Sequence, residues 1–353
     1  MSTRAANEYG FVNARIRGMK SRFLSIGVYE SLIQSGSYEN FIKILSSTYY
    51  GQVLSKESPG SIPNPDELAL ILSRDFASVS ENLSRSLTGK VHEFTKTYLE
   101  QFFADSVKSI IRGIHVDLTP DEILRFSVPT SPAQAELLAA LAGSSSVSKM
   151  IDLLPFWDLK VALLARLPSY EEIDSTSPLE VAVEEWYLKR VIDALKHFSR
   201  SEVQRVLGVL EPRVVLRNIL TGLRAHILQL EPRALELSLI RFSRACEITQ
   251  GILTSTGWRE VLATLERTRY AALGSRLLHL YEDTHDLEDV ELAIEDYIAQ
   301  RIRNQMTAFP FHLGTIIGFF SLKQYEVRNI RSIAVGLERG EPPERIRRMI
   351  AIW

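Results

Sequence analysis

The chain has 353 residues, of which 45% are hydrophobic and 24% charged, with a formal net charge of −2. That length exceeds one typical domain, the ordinary charged fraction argues against disorder, and the near-neutral balance excludes a broadly basic nucleic-acid-binding surface. The single cysteine, Cys246, excludes an internal disulfide framework and is expected as a small buried hydrophobe in a reducing compartment.

The first ten residues are polar and lack the apolar core of a secretory signal. Asn13–Arg22 then places four cations, Arg15, Arg17, Lys20 and Arg22, on one predicted helical segment. Such a segment is either a salt-bridged helix packed on its neighbours or, taken in isolation, a membrane-surface or nucleic-acid patch. Residues 55–65 are rich in Ser, Pro and Gly and read as a linker, as does Gly143–Ser148. Thr119-Pro120-Asp121-Glu122 and Ser177-Pro178-Leu179-Glu180 each offer a capping hydroxyl, a proline at the first helical position and an acid soon after. From Leu179 the apolar residues Ala182, Val183, Trp186, Tyr187, Val191, Ala194, Leu195 and Phe198 recur at helical spacing, and Leu287, Val290, Ile294, Tyr297, Ile298 and Ile302 repeat the pattern. Both stripes are expected to face a core. The longest apolar run, Ala308–Phe320, is broken by Pro310 and His312 and is shorter than the roughly 20 residues that cross a bilayer, so it reads as a buried helix. No Asn-Gly, Asp-Gly or Gly-Gly pair signals a tight hairpin. The fold class is all-α.

Two kinds of internal repetition divide the chain. Arg217-Asn218-Ile219 and Arg328-Asn329-Ile330 stand at matching places after acidic, aromatic helices, and Arg112 is expected as a first copy that has lost its asparagine. Phe41-Ile42…Leu45…Thr48-Tyr49-Tyr50, Val161-Ala162…Ala165…Pro168-Ser169-Tyr170 and Val261-Leu262…Leu265…Thr268-Arg269-Tyr270 form a second series, with Pro168 in place of threonine in the middle. The spacing is too long for short solenoid repeats and fits three tandem helical domains. With boundaries at Ser127–Pro132 and Gln229–Pro232, the domains are expected at 1–130, 131–230 and 231–353. The asparagines are expected to hydrogen-bond a neighbouring helix, since their helix propensity is poor.

The signatures of catalysis are missing. Gly89-Lys90 lacks the upstream glycine of a phosphate loop, no G-x-G pair is present, and neither H-E-x-x-H nor C-x-x-C is found. His279 and His285 read as surface residues, and Glu171-Glu172, Glu184-Glu185 and Glu282-Asp283 as solvated helix faces. No catalytic, cofactor-binding or metal-binding residue is assigned.

Beyond these readings, the segment Glu8-Tyr9-Gly10-Phe11-Val12-Asn13-Ala14-Arg15-Ile16-Arg17-Gly18-Met19-Lys20-Ser21-Arg22-Phe23-Leu24 resembles the first helix of the C subunit of archaeal-type rotary ATPases, equivalent to subunit d of the eukaryotic V-type enzyme. Ser47-Thr48-Tyr49-Tyr50-Gly51 is similar to that family's threonine-x-tyrosine-glycine turn. Phe311-His312-Leu313-Gly314, Tyr325-Glu326-Val327-Arg328-Asn329-Ile330-Arg331-Ser332-Ile333-Ala334 and the tail Gly336…Gly340-Glu341-Pro342-Pro343-Glu344 resemble its carboxyl-terminal helices. The resemblance implies a pseudo-threefold funnel of three helical domains. It implies a non-catalytic, peripheral subunit on the cytoplasmic face of the membrane, one copy per complex, joining central-stalk subunits of D and F type to the proteolipid rotor ring. The complex would carry proton or sodium transport linked to ATP synthesis or hydrolysis. No cofactor, nucleotide or nucleic acid is expected on this chain, and Arg15, Arg17, Lys20 and Arg22 are expected to dock acidic loops of the ring or stalk. A generic helical scaffold with a concave protein-binding surface, and an all-helical enzyme without known motifs, are the competing expectations.

Overall fold

Capping chemistry sets where the helices of this chain begin. The computed structural model describes residues 3–125, 127, 129–242, 245–307 and 311–351, and every regular element among them is a helix. In chain order these are α1 (Thr3–Lys20), α2 (Ile26–Ile33), α3 (Tyr38–Ser46), α4 (Tyr49–Glu57), α5 (Pro65–Ser84), α6 (Gly89–His115), α7 (Pro120–Leu124), α8 (Pro132–Ala142), α9 (Val147–Asp152) and α10 (Trp157–Ile173). There follow α11 (Ser177–Leu195), α12 (Arg200–Ile227), α13 (Pro232–Ser238), α14 (Cys246–Thr254), α15 (Trp258–Ala263), α16 (Ala271–Thr284), α17 (Leu287–Thr307), α18 (Leu313–Glu338) and α19 (Pro343–Arg348). Thr119 and Glu122 form the expected capping box at α7, and Asn64 with Glu67 forms another at α5. At α11 the capping position belongs to Thr176 rather than Ser177, and its hydroxyl donates to Glu180 at 2.7 Å. The carboxylate there serves an ion pair instead of a capping box.

Contacts divide the chain into two compact units, residues 1–99 with 197–206 and 295–353, and residues 100–196 with 207–294. The division falls within α6, α12 and α17. The first unit buries Phe41, Tyr50, Leu72, Phe94, Tyr98 and Phe320; the second buries Ile110, Leu163, Val183, Leu216, Ile219 and Leu265. Most of the predicted stripe from Leu179 is buried, and so are Val290, Ile294, Ile298 and Ile302. Of the apolar run at 308–320, Leu313–Phe320 lies buried on α18, while residues 308–310, Pro310 among them, lie outside the described residues.

Local geometry recurs three times along the chain. The helices α6, α12 and α18 close on residues of positive φ, Asp117 (53°), Gln229 (53°) and Gly340 (69°). At each end the next N–H reaches back to a carbonyl five residues earlier, Leu118 to Gly113, Leu230 to Ala225 and Glu341 to Gly336, all at 2.9 Å. The residues reached are small because the following short helix folds against them: a Cβ at Gly113 would lie 2.3 Å from Ile123, and one at Gly336 would lie 2.8 Å from Ile346. Helices α3, α9 and α15 likewise follow Ser37, Ser146 and Gly257, and four residues on each buries Phe41, Met150 or Val261.

This register corrects two expectations. Counting back from the closing turns, Arg217 and Arg328 align with Asp105, and Arg112 aligns with Arg224, two helical turns further on. The second copy of the Thr-x-Tyr series is Met150-Ile151…Leu154…Leu159, eleven residues before the expected Val161–Tyr170. Thr48 and Thr268 both donate to the carbonyl three residues back and accept from the N–H two residues on, at 2.6 and 3.2 Å and at 2.7 and 3.0 Å. Val161–Tyr170 makes no such turn, because α10 runs unbroken through Pro168 and leaves Val161 and Leu164 exposed.

The arginines gain meaning in the corrected register. Arg217 pairs with Glu184 at 3.3 Å and Arg328 with Glu295 at 3.2 Å, with 111 residues separating both the arginines and the acids. Arg112 pairs with Glu180, Nε to Oε1 at 2.7 Å, and Arg224 with Glu291 at 2.5 Å, again at matching positions. Glu184, expected on a solvated face, also receives Lys108 at 2.8 Å, and Glu185 accepts from the Arg241 N–H at 2.8 Å. Cys246 is exposed rather than buried: it opens α14 on the side opposite the core-facing Ile248 and Ile252. His279 and His285 are exposed as expected, whereas His312 is buried at the start of α18.

The repeated asparagines are backbone clamps. The Asn218 amide donates to the Ile240 carbonyl at 2.8 Å and accepts from its N–H at 3.0 Å; Asn329 does the same to Ala351 at 2.6 and 3.3 Å. Each partner lies 22 residues on, in the irregular segment after a short helix rather than on a neighbouring helix. Asn329→Ala strands a buried N–H and C=O and should lower unfolding free energy by about 2–4 kcal/mol, measured by urea denaturation; a change below about 0.5 kcal/mol would contradict the clamp. The Glu180 carboxyl should also set an acid limit. Burial opposes its charge, but hydrogen bonds from Arg112 and Thr176 outweigh that and hold its pKa below the ordinary value. A depressed folded-state pKa gives stability that is complete above about pH 5 and lost as pH falls through the folded value. Glu180→Gln should therefore flatten the acid side of a stability–pH curve, and a curve parallel to the parent would refute the assignment.

Candidate functional site: the basic face of the amino-terminal helix

Helix α1 buries Tyr9, Val12 and Ile16 at spacings of three and four, which turns Arg15, Arg17 and Lys20 outward. Among the described residues none of the four predicted cations forms an ion pair, so the segment is not a salt-bridged one. Arg15 reaches the Asn82 carbonyl at 3.4 Å, and its guanidinium lies 6.0 Å from the Phe11 ring centre. Arg17 and Lys20 occupy the last turn, where positive charge complements the helix dipole. Arg22 differs from the other three. It lies beyond α1 and stacks 5.4 Å over the Tyr49 ring, as part of an anchor.

That anchor is a cluster of buried charge. The Glu326 carboxylate on α18 is fully buried; it accepts from the Leu24 N–H at 2.7 Å and from the Tyr50 hydroxyl at 2.8 Å. Lys323, one turn earlier, lies 3.3 Å from Glu326, donates to Tyr50 at 2.8 Å and lies 3.5 Å from Asp75. The Tyr49 hydroxyl donates to Asp75 at 2.7 Å, and Phe23 stacks on Phe319 with ring centres 5.7 Å apart. Burial, then the neighbouring Glu326, pushes the Tyr50 phenol well above its ordinary range, so it stays a donor at any physiological pH. The Leu24 bond fixes the turn after α1 and so orients the basic face. The space among Met19, Arg22, Phe23, Tyr49, Phe319 and Lys323 is about 10 Å³, at the limit for one water molecule. It serves as packing and holds no substrate.

The sequence located the basic face but missed its anchor. Lys323-x-x-Glu326 inside an apolar helix was the available signal, since two opposite charges one turn apart in a buried stripe must satisfy each other. In the second unit an open hollow is lined by His115, Asp117, Tyr170, Glu171 and Asp174, with His115 Nδ1 3.2 Å from the Tyr170 hydroxyl. No group of three metal-ligating side chains stands together among the described residues, and none of their helices is long and apolar enough to cross a membrane. Glu326→Leu leaves Lys323 buried with reduced compensation and should cost about 3–5 kcal/mol by chemical denaturation; a loss under about 1 kcal/mol would show that the cluster is not the anchor.

Comparison with known proteins follows the whole chain. Residues 12–349 match the family described as ATP synthase (C/AC39) subunit. The C subunit of the A-type ATP synthase of Methanocaldococcus jannaschii is 25% identical, covering 97% of this chain and 86% of that protein. The protein of the same description from Haloferax volcanii is 24% identical over the full length of both, and that of Thermococcus onnurineus is 25% identical over 97% and 90%. The anchor residues and the cations Arg15, Arg17, Lys20 and Arg22 lie within the matched span, and the chain belongs to the ATP synthase (C/AC39) subunit family.

Proposed function

We propose that this chain is the central-stalk socket of an A/V-type rotary ATPase. It would join stalk subunits of D and F type to the membrane proteolipid ring, in one copy per complex, at the cytoplasmic face. In this role it transmits torque between ATP chemistry in the soluble head and proton or sodium movement in the ring, and it makes or breaks no bond itself. The single observation that carries the reading is the family match over residues 12–349, which spans nearly the whole chain. The repeated closing turns, asparagine clamps and matched ion pairs support three similar helical domains, proposed at 1–130, 131–230 and 231–353. Close-packed helices suit a part that carries load, because such interiors compress little.

All four cations are exposed; docking is assigned to Arg15, Arg17 and Lys20 on α1, while Arg22, beyond the helix, holds the segment in place through Tyr49. Reversing Arg15, Arg17 and Lys20 to glutamate should weaken assembly at least tenfold at low ionic strength, with the difference shrinking as salt rises. Affinity isolation of the tagged chain from native membranes, with its partners identified, measures both points. Recovery without ring or stalk subunits would overturn the reading, and salt-independent assembly of the reversed variant would remove the docking role.

A further inference from the structure

Helix α10 carries an apolar stripe on its outward face. Trp157 is 75% exposed, and Val161, Leu164 and Pro168 follow at steps of four, three and four, all exposed, with exposed Leu153 just ahead of the helix. Steps of three and four place these side chains along one seam, roughly 16 Å long for eleven residues. A surface tryptophan beside two branched aliphatics is costly to leave in water and is the kind of anchor on which interfaces concentrate their energy.

The chain supplies its own control. In the register fixed by Ser37, Ser146 and Gly257, Val161 corresponds to Gln52 on α4 and Ala272 on α16, and Leu164 corresponds to Ser55 and Ser275. All four counterparts are exposed. The fold therefore does not require large apolar residues at these positions: the counterparts are Gln, Ala and two Ser, and only the middle copy has branched aliphatics there. Exposed Glu171 and Glu172 give the far end of the seam a negative rim, and the cations beside the helix are already engaged: Lys160 with the Asp152 carbonyl at 2.6 Å, Arg166 with Glu185 at 3.7 Å, and Arg190 with Glu100 at 2.6 Å and with the exposed Asp158 at 3.7 Å.

We propose that this face of α10 docks an amphipathic α-helix of another protein, one whose apolar stripe is flanked by lysine or arginine. The three-four spacing is that of helix-on-helix packing, and the acidic rim selects the partner's charge. The proposal rests on the reading of the chain as part of a larger complex, within which the partner helix is found.

The test uses the full chain in its native membrane complex, with the photoreactive residue p-benzoylphenylalanine replacing Ala165 at the edge of the seam. A second chain adds Trp157→Thr, Val161→Gln and Leu164→Ser, the residues of the first copy. Illumination should link position 165 to a helical segment of another subunit with a basic-flanked apolar stripe, and the triple variant should reduce that product at least tenfold while its circular dichroism and thermal midpoint stay unchanged. A cross-link only to lipid, to a second copy of this chain or to a non-helical segment would overturn the proposal, as would no cross-link, or a product undiminished in the triple variant. If other subunits fail to co-purify even with the unmodified chain, the rotary-complex reading itself falls; if they co-purify and position 165 stays unlinked, only this inference falls.

Discussion

A carboxylate without solvent governs the placement of the basic helix. Glu326 is fully buried, and its charge is tolerable only because a backbone N–H, a phenol and an ammonium all point at it. Each of those donors belongs to a different stretch of the chain: Leu24 follows α1, Tyr50 opens α4, and Lys323 shares α18. Satisfying one acid thus fixes the exit of α1 against the first unit's core. With that end pinned and Tyr9, Val12 and Ile16 packed, the outward direction of Arg15, Arg17 and Lys20 is determined. The electrostatics of the surface follow from the electrostatics of the interior.

The same economy recurs in the repeats. One small residue admits the short helix after each closing turn, and in two copies an asparagine then ties down the segment that leaves it. In the earliest set Asp105-Ser106 stands where the later sets have arginine and asparagine, and Asp105 pairs with Lys108 at 2.8 Å instead. Arg112 and Arg224, at equivalent places, each reach an acid on the helix preceding the next long one, α11 or α17. Such ties lie along the chain at fixed register, joining each helix to its successors through paired charges and shared backbone bonds.

The helices were legible because capping residues, prolines and apolar spacing all act locally: α7, α11 and α17 follow directly from them. The basic face was legible for the same reason, as cations crowd one short segment. The register of the repeats was not. Tyr170 and the apolar pair at Val161 imitate the Thr-x-Tyr series in composition, yet the signal that settles the match is Ser146 as a cap, ten residues before the nearest aromatic, Phe156. Arg112 was misplaced because arginine identity outweighed the closing turn, whose marker in two copies is not glycine but Asp117 and Gln229 at positive φ. Glu326 escaped notice because its partners lie about 275 and 300 residues away in sequence, at Tyr50 and Leu24, and no periodicity encodes such a meeting. The exposure of Trp157 was hidden likewise, since an apolar stripe at helical spacing reads as core until its packing partner proves to be missing.

The central claim is mechanical coupling, and vesicles rebuilt from the membrane complex with and without this chain test it most directly. With the chain, ATP hydrolysis should drive ion uptake; without it, the head should still hydrolyse ATP while uptake falls to background, and restoring the chain should restore uptake. Ion uptake that persists undiminished in vesicles lacking the chain would contradict the account.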